Sequence, residues 1–226
     1  MFSRFSPILN HINQKDFQFV YEPSEDSFLL CEGIEKNINF IKEEIKPTIC
    51  LEIGTGTGFV TCFVNKLFEE NKVSCFYITT DINHKAAKIA NETFKLNCVE
   101  PKETIITDLI EGFESRLKNS IDLLLFNPPY VPTDPSEKIG IDPLDQNSLL
   151  SSSWAGGKNG MEVTQIVLDK LDFLLSPNGC CFIVALEENQ PEIIAKNLFF
   201  KGFRTAVVKK KEIEDEKLYI LKIYRK

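Results

Sequence analysis

"TICLEIGTGTGFVTCFVNKLFEE", Thr48 to Glu70, changes its character twice. "TICLEI" (48–53) reads as a short buried strand. Gly54, Gly56 and Gly58 follow with the spacing G-x-G-x-G. Residues without a Cβ let the chain turn tightly and approach a ligand closely. From Phe59 onward "FVTCFVNKLFEE" reads as a helix. Strand, glycine turn and helix in that order make the first half of a βαβ unit. The nicotinamide-binding pattern G-x-G-x-x-G is not met, because Phe59 stands at its last position. Taken alone, the run is also consistent with a plain glycine-rich turn.

The alternation continues on both sides. Upstream, Leu30, Ile34, Ile38, Ile41 and Ile45 recur at helical spacing from Ser24. Downstream, "VSCFYITTD" (73–81), "ETIIT" (103–107), "IDLLLF" (121–126) and "CCFIVAL" (180–186) read as strands. Helices are expected at 84–96, at 161–175 and from Pro191. The tail differs. "FRTAVVKKK" and "KLYILKIYR" read as two strands joined by a charged turn at 212–216, an antiparallel pair closing one edge. The expected fold is α/β: a seven-stranded, mostly parallel sheet with helices on both faces and an antiparallel C-terminal pair. With 226 residues, 43% of them hydrophobic, the chain is expected to form one domain, 1–226.

Net charge is −7, which argues against a broad nonspecific nucleic-acid surface. No apolar run approaches membrane-spanning length. The first residues lack the long apolar core of a secretory signal, so a cytoplasmic location is expected. The seven cysteines contain no C-x-x-C pair and mostly sit in apolar segments, where a free thiol behaves as a small hydrophobe. No metal site is expected from that spacing, and a reducing compartment fits. His11 and His84 show no ligand pattern.

In sheets of this kind, ligands bind beyond the carboxyl ends of the strands. Asp81 ends the second strand; it either accepts hydrogen bonds from a ribose diol or caps the next helix. Asp108 and Leu109 follow the third, where a carboxylate and an apolar neighbour suit an adenine ring or, again, a helix cap. The fourth ends in Asn127-Pro128-Pro129-Tyr130, and two prolines in a row cannot continue a strand.

These pieces together resemble the class I methyltransferases that use S-adenosylmethionine. More narrowly, the chain resembles the NPPY amide methyltransferases of the HemK type, in the small eukaryotic and archaeal branch acting on class 1 translation release factors. The matching pieces are "YEPSEDSFLL" (21–30), "EIGTGTG" (52–58), "DIN" (81–83), "DL" (108–109), "NPPYVPT" (127–133) and "WAGGKNGMEV" (154–163). The stretch 134–153 departs from that pattern by its length. The resemblance implies a Rossmann-like single domain and S-adenosyl-L-methionine as cofactor. It implies that Ser27 reaches the methionine part, that Glu52, Gly54 and Gly56 line it at the turn, that Asp81 holds ribose, and that Asp108 and Leu109 frame adenine. Residues 1–46, with Tyr21 and Glu25, would form part of a lid.

For the acceptor, the resemblance implies the glutamine of a Gly-Gly-Gln tripeptide. An amide nitrogen is a poor nucleophile and must be oriented. Asn127 offers a side-chain carbonyl, Pro128 a rigidly held backbone carbonyl, and Tyr130 a ring to pack on the planar amide. Asn127 thus borders both acceptor and cofactor. The implied partners are the release factor and a small zinc-binding activator forming a heterodimer, expected to add a strand at the edge carrying Glu103 to Thr107. No DNA or membrane partner is expected. Two alternatives stay open: a protein-lysine methyltransferase and an adenine-N6 nucleic-acid methyltransferase. A nuclear pool is compatible with the reading.

Overall fold

The computed structural model describes residues 5–100, 102–134, 150, 153–213 and 216–225. Its centre is a seven-stranded sheet in the order β3-β2-β1-β4-β5-β7-β6. The strands are β1 (Ile49–Ile53), β2 (Phe76–Asp81), β3 (Lys102–Ile106), β4 (Ile121–Phe126), β5 (Leu175–Leu186), β6 (Phe203–Ile213) and β7 (Glu216–Arg225). β1 to β5 pair in parallel, whereas β7 runs antiparallel to both β5 and β6. The expected antiparallel tail is present, with a shorter connection. Its ladder runs on to Ile213 opposite Glu216, so most of 212–216 belongs to the strands.

Alternating side chains divide the core in two, as the period of a strand requires. Cys50, Leu123, Leu125, Phe182 and Ile220 pack beneath α1 (Glu25–Lys36) and α3 (Phe59–Asn71), and Tyr77 and Phe94 extend that layer under α4 (His84–Leu96). Leu51, Leu124, Phe126, Ile183 and Leu221 face the other way, onto α5 (Glu162–Leu174) and α6 (Pro191–Phe200). Apart from Asp122 near its start, β4 is apolar along both faces because both are covered.

Several boundaries move for local reasons. The helix expected through 45 breaks at Asn37, whose side-chain amide donates to the Gly33 carbonyl at 2.8 Å. That local bond competes with the helix ladder. A short turn, α2 (Ile38–Phe40), and a π-helical turn (Ile41–Ile45) follow. β2 starts at Phe76 rather than 73, because the Val73 amide closes α3 on the Phe68 carbonyl. β5 begins earlier than 180 and shifts register between Ile121 and Leu123.

β3 is an edge strand, as expected. Consecutive residues on it face opposite sides. Thr104 faces α4, where its hydroxyl donates to Asn91 at 3.1 Å. Ile106 shares that side and is 59% exposed; Ile105 lies half-buried on the other. The link from β3 to β4 carries a 3-10 turn (Glu114–Leu117) and no helix longer than that. The stretch 134–153, expected to shape a substrate-side loop, lies almost wholly outside the described residues.

Candidate functional site

The ends of β1, β2 and β4 and the segment after β3 open into one cleft of roughly 1100 Å³, its mouth included. Tyr21, Ser27, Glu52, Gly54, Gly56, Asp81, Asp108, Leu109 and Asn127 all line it. The sheet topology brings them together although they are spread from Tyr21 to Asn127 in the sequence.

The glycine turn works through backbone conformation. Gly54, Gly56 and Gly58 all have positive φ (69°, 53° and 81°), a region that disfavours a side chain. The turn is tied to β2, since the Thr55 amide donates to the Thr80 carbonyl at 2.9 Å. The Gly56 amide donates to Asp81 Oδ2 at 2.9 Å, and the Asn83 amide to Asp81 Oδ1 at 2.9 Å. Asn83, not Asp81, caps α4, accepting from the Lys85 amide at 3.0 Å. Each Asp81 oxygen therefore keeps acceptor capacity for the cleft. Burial lifts the Asp81 carboxyl to about 6, against the opposing pull of those two amides.

Glu52 is 5% exposed and takes hydroxyl bonds from Thr55 and Thr61. Burial pushes it up to about 7. The Thr80 hydroxyl, also on the cleft, is buried and has no partner within the protein. Buried polar atoms are rarely left so, and a ligand in the cleft is the direct way to satisfy it. Carboxylates on one side, apolar Val20, Ile82 and Leu109 and the open glycine backbone together fit a nucleoside joined to a cationic amino acid.

At the end of β4 the arrangement is more specific. Asn127 Nδ2 donates to Asp26 Oδ2 at 3.1 Å, and the Tyr130 hydroxyl donates to the same oxygen at 2.9 Å. Asn127 Oδ1 is buried without a partner. Pro128 is buried and Tyr130 half-buried; neither lines the cleft, whereas Pro129 does. The Tyr130 hydroxyl is thus committed to Asp26, a bond that fixes where its ring stands. Glu25, expected at the lid, pairs with Lys211 on β6 and is not among the residues lining the cleft. Asp26, beside it and 4% exposed, is the site residue that sequence reasoning missed.

"WAGGKNG" props up this loop. The Val131 amide donates to the Trp154 carbonyl at 3.0 Å, and the Gly156 amide to the Val131 carbonyl at 2.8 Å. A Cβ on Gly160, at φ +66°, would overlap the Tyr130 carbonyl oxygen. Asn189 Nδ2 holds that oxygen at 2.9 Å.

The N-terminal segment forms a strap that sequence patterns did not reveal. Asn97 on the far end of α4 exchanges bonds with the Ile8 backbone at 2.8 and 3.0 Å. His11 meets Thr93 at 3.2 Å. Asn83 donates to the Phe19 carbonyl at 2.6 Å, and Lys85 lies 3.4 Å over the Phe19 ring. Phe19, Val20, Tyr21 and Pro23 then wall the cleft. Among the described residues, no group of His, Cys, Asp and Glu is placed to hold a metal, and no helix is long and apolar enough to cross a membrane.

Residues 28–140 match the methyltransferase small domain family. The chain is 37% identical over 217 residues to Methyltransferase HEMK2 of Homo sapiens, covering 96% of this chain and 95% of that protein. It is 34% identical over 232 residues to the eRF1 methyltransferase catalytic subunit mtq2 of Schizosaccharomyces pombe, covering 97% and 95%. Among solved structures it is similar to the Mtq2-Trm112 complex of E. cuniculi, described as responsible for methylating the termination factor eRF1. Identity is 26% and the TM-score 0.62, over 92% of this chain and 99% of that one.

Proposed function

This chain belongs to the HemK-type methyltransferases of the small-domain family, and we propose on that premise that it methylates the glutamine side-chain nitrogen of the Gly-Gly-Gln motif in a class 1 release factor. The cofactor is S-adenosyl-L-methionine, which when bound supplies an electrophilic methyl on a sulfonium.

The observation that carries this reading is the unpartnered Asn127 Oδ1 at the inner end of the cleft. A primary amide has two N–H groups and a nitrogen whose lone pair is delocalised. Asn127 Oδ1 accepts one N–H, and the Pro128 carbonyl is assigned the other. Held so, the nitrogen turns its remaining face toward the cleft. As bonding to carbon removes the delocalisation, the N–H groups become more acidic and the acceptors bind them more strongly. That gain belongs to the transition state and lowers the barrier. The proton leaves after transfer, so no strong general base is needed. At the cofactor end, Asp81 is assigned the ribose diol, Asp108 and Leu109 the adenine, and Ser27, Glu52, Gly54, Gly56 and Tyr21 the amino-acid part and its cover. Carboxylates there offset the ligand's positive charge.

The charge distribution argues against the adenine-N6 alternative. The short basic run on β6 is largely neutralised, Lys209 by Glu32 at 2.6 Å and Lys211 by Glu25. A nucleic-acid surface would need those charges free. The deciding experiment is mass spectrometry of a recombinant release factor incubated with the protein and cofactor. One methyl on the glutamine of the Gly-Gly-Gln peptide is expected; an unmodified peptide with an active cofactor-binding enzyme overturns the reading.

The likeness to the Mtq2-Trm112 complex supports a small protein partner. We assign that partner zinc-binding character and the open β3 edge, and the complex a cytoplasmic location with a nuclear pool. An open edge presents unpaired backbone groups and invites strand addition. Ile106→Asp is expected to abolish the heterodimer in size-exclusion chromatography with light scattering, because it places charge on the most exposed apolar residue of that edge. Normal assembly by this variant and by Ile105→Asp would remove the β3 edge as the docking site.

A further inference from the structure

We propose that Asp26 is the positioning residue that fixes the polarity of the acceptor site, holding the Asn127 amide with its oxygen turned toward the substrate. The inference deepens the amide-methylation reading and rests on it.

An asparagine side chain can present either its oxygen or its NH2 group, and a rotation of half a turn about its terminal bond exchanges them. The two orientations are opposite in function. Oxygen outward accepts a substrate N–H, whereas NH2 outward repels it. Nothing within Asn127 selects between them. A carboxylate does, since it only accepts hydrogen bonds. With Asp26 Oδ2 lying 3.1 Å from Asn127 Nδ2, turning the amide round would set two acceptor oxygens against each other.

Asp26 is itself held firmly. Its Oδ1 accepts from the Ser27 amide at 2.6 Å, the Ser27 hydroxyl at 3.3 Å and the Ser24 hydroxyl at 3.0 Å. Its Oδ2 accepts from Asn127 and from the Tyr130 hydroxyl at 2.9 Å. The Tyr130 phenol is pushed up by burial, with the neighbouring Asp26 charge adding to the effect, so it stays a donor. A carboxylate taken out of water is costly unless it is fully paired, and here every partner is a donor. A neutral residue would fill the space at lower desolvation cost. What only an acceptor-only group provides is the direction of the Asn127 amide. Asp26 does not itself line the cleft, and its effect on the substrate passes through Asn127.

The test is Asp26→Asn, which keeps shape but introduces an NH2 group. That new donor can bond Asn127 Oδ1 and draw it inward, away from the substrate. Turnover on the release-factor peptide is expected to fall roughly 10- to 100-fold, the scale of a misplaced reacting group. KM for the peptide and affinity for S-adenosylmethionine should stay within about threefold, a split that a general loss of structure would not produce. Ser24→Ala removes a donor from the far oxygen of Asp26 and frees the Tyr21 hydroxyl, but leaves the Asp26–Asn127 bond; turnover at saturating cofactor should stay within about threefold of wild type.

A second readout needs no activity. In wild-type protein the Asn127 side-chain NH2 resonances, identified by their loss in Asn127→Ala, should be widely separated because one proton is bonded to a carboxylate. If the Asp26→Asn protein folds poorly, this measurement decides alone. Asn127 protons with no more than the ordinary separation of a solvated amide in wild type overturn the proposal, as does an Asp26→Asn enzyme with normal kcat. A wild-type enzyme that leaves the glutamine unmodified would instead count against the proposed function, with the resonance test still judging Asp26.

Discussion

Asn127→Ala is expected to lower the rate of methyl transfer by about 100- to 1000-fold, the scale seen when one preorganised polar contact to a transition state is removed. The residue follows β4 directly, and its oxygen is a buried acceptor without a partner. Truncation deletes that acceptor and also leaves Asp26 Oδ2 short of a donor. Affinity for S-adenosylmethionine should change by no more than about threefold, because the carboxylates assigned to the cofactor lie on β1 and β2 and after β3. Calorimetry and single-turnover kinetics separate the two effects. Turnover retained near wild type would remove Asn127 from the acceptor site.

Asp81→Ala should act on the opposite step. A hydrogen bond to a charged group contributes roughly 1.5–3 kcal/mol, so the dissociation constant for S-adenosylmethionine should rise about 10- to 150-fold. The substitution also frees the Gly56 amide, loosening the turn that faces the cofactor. A dependence on pH accompanies this. In the empty cleft Asp81 titrates near about 6 and Glu52 near about 7. A cationic ligand with hydroxyl donors favours their ionised forms, so binding lowers both values and releases protons between the free and bound pKa. Affinity is therefore full above about 7 and declines as the pH falls through 7 and then 6. Asp81→Ala should erase the lower step and keep the upper. Calorimetry in buffers of different ionisation enthalpy reads the proton release directly. An unchanged dissociation constant would mean that Asp81 serves the turn and not the ligand.

Much of the fold was legible because a doubly covered sheet writes itself into the sequence. β4 is apolar but for Asp122, and β1, β2 and β4 carry at or beside their carboxyl ends residues that no core would choose: Glu52, Asp81 and Asn127. Those ends fall on one cleft by topology alone, so naming them needed no side-chain geometry. Asp26 was hidden for the converse reason. It sits in the first turn of α1, where an acidic residue is ordinary because it complements the helix dipole. Only the approach of α1 to the end of β4, about a hundred positions away in the chain, gives its carboxylate a purpose. The strap was hidden too, since its anchors on α4 are polar side chains bonding to backbone, which leaves no apolar period to read. Glu25 and Asp26 show how much one helical position decides: they are neighbours, and one turns out to Lys211 while the other turns in.

The strap makes the two walls of the cleft unequal in endurance. The floor is made of strand ends whose amides are locked in a seven-stranded ladder, so opening it requires global unfolding. The outer wall hangs from α4 by the Asn97, Asn83 and Lys85 contacts, and segments with few such ties open far more often than the body that carries them. Hydrogen–deuterium exchange should therefore find the amides near Ile8 to Val20 among the quickest to exchange in the empty protein and strongly slowed when ligand fills the cleft, with β1 and β4 unchanged. Equal protection of strap and floor without ligand would show the wall to be permanent. A chain built this way need not loosen its catalytic frame to release spent cofactor: the door is a separate, weaker part, and its opening rate can limit how quickly the enzyme returns to work.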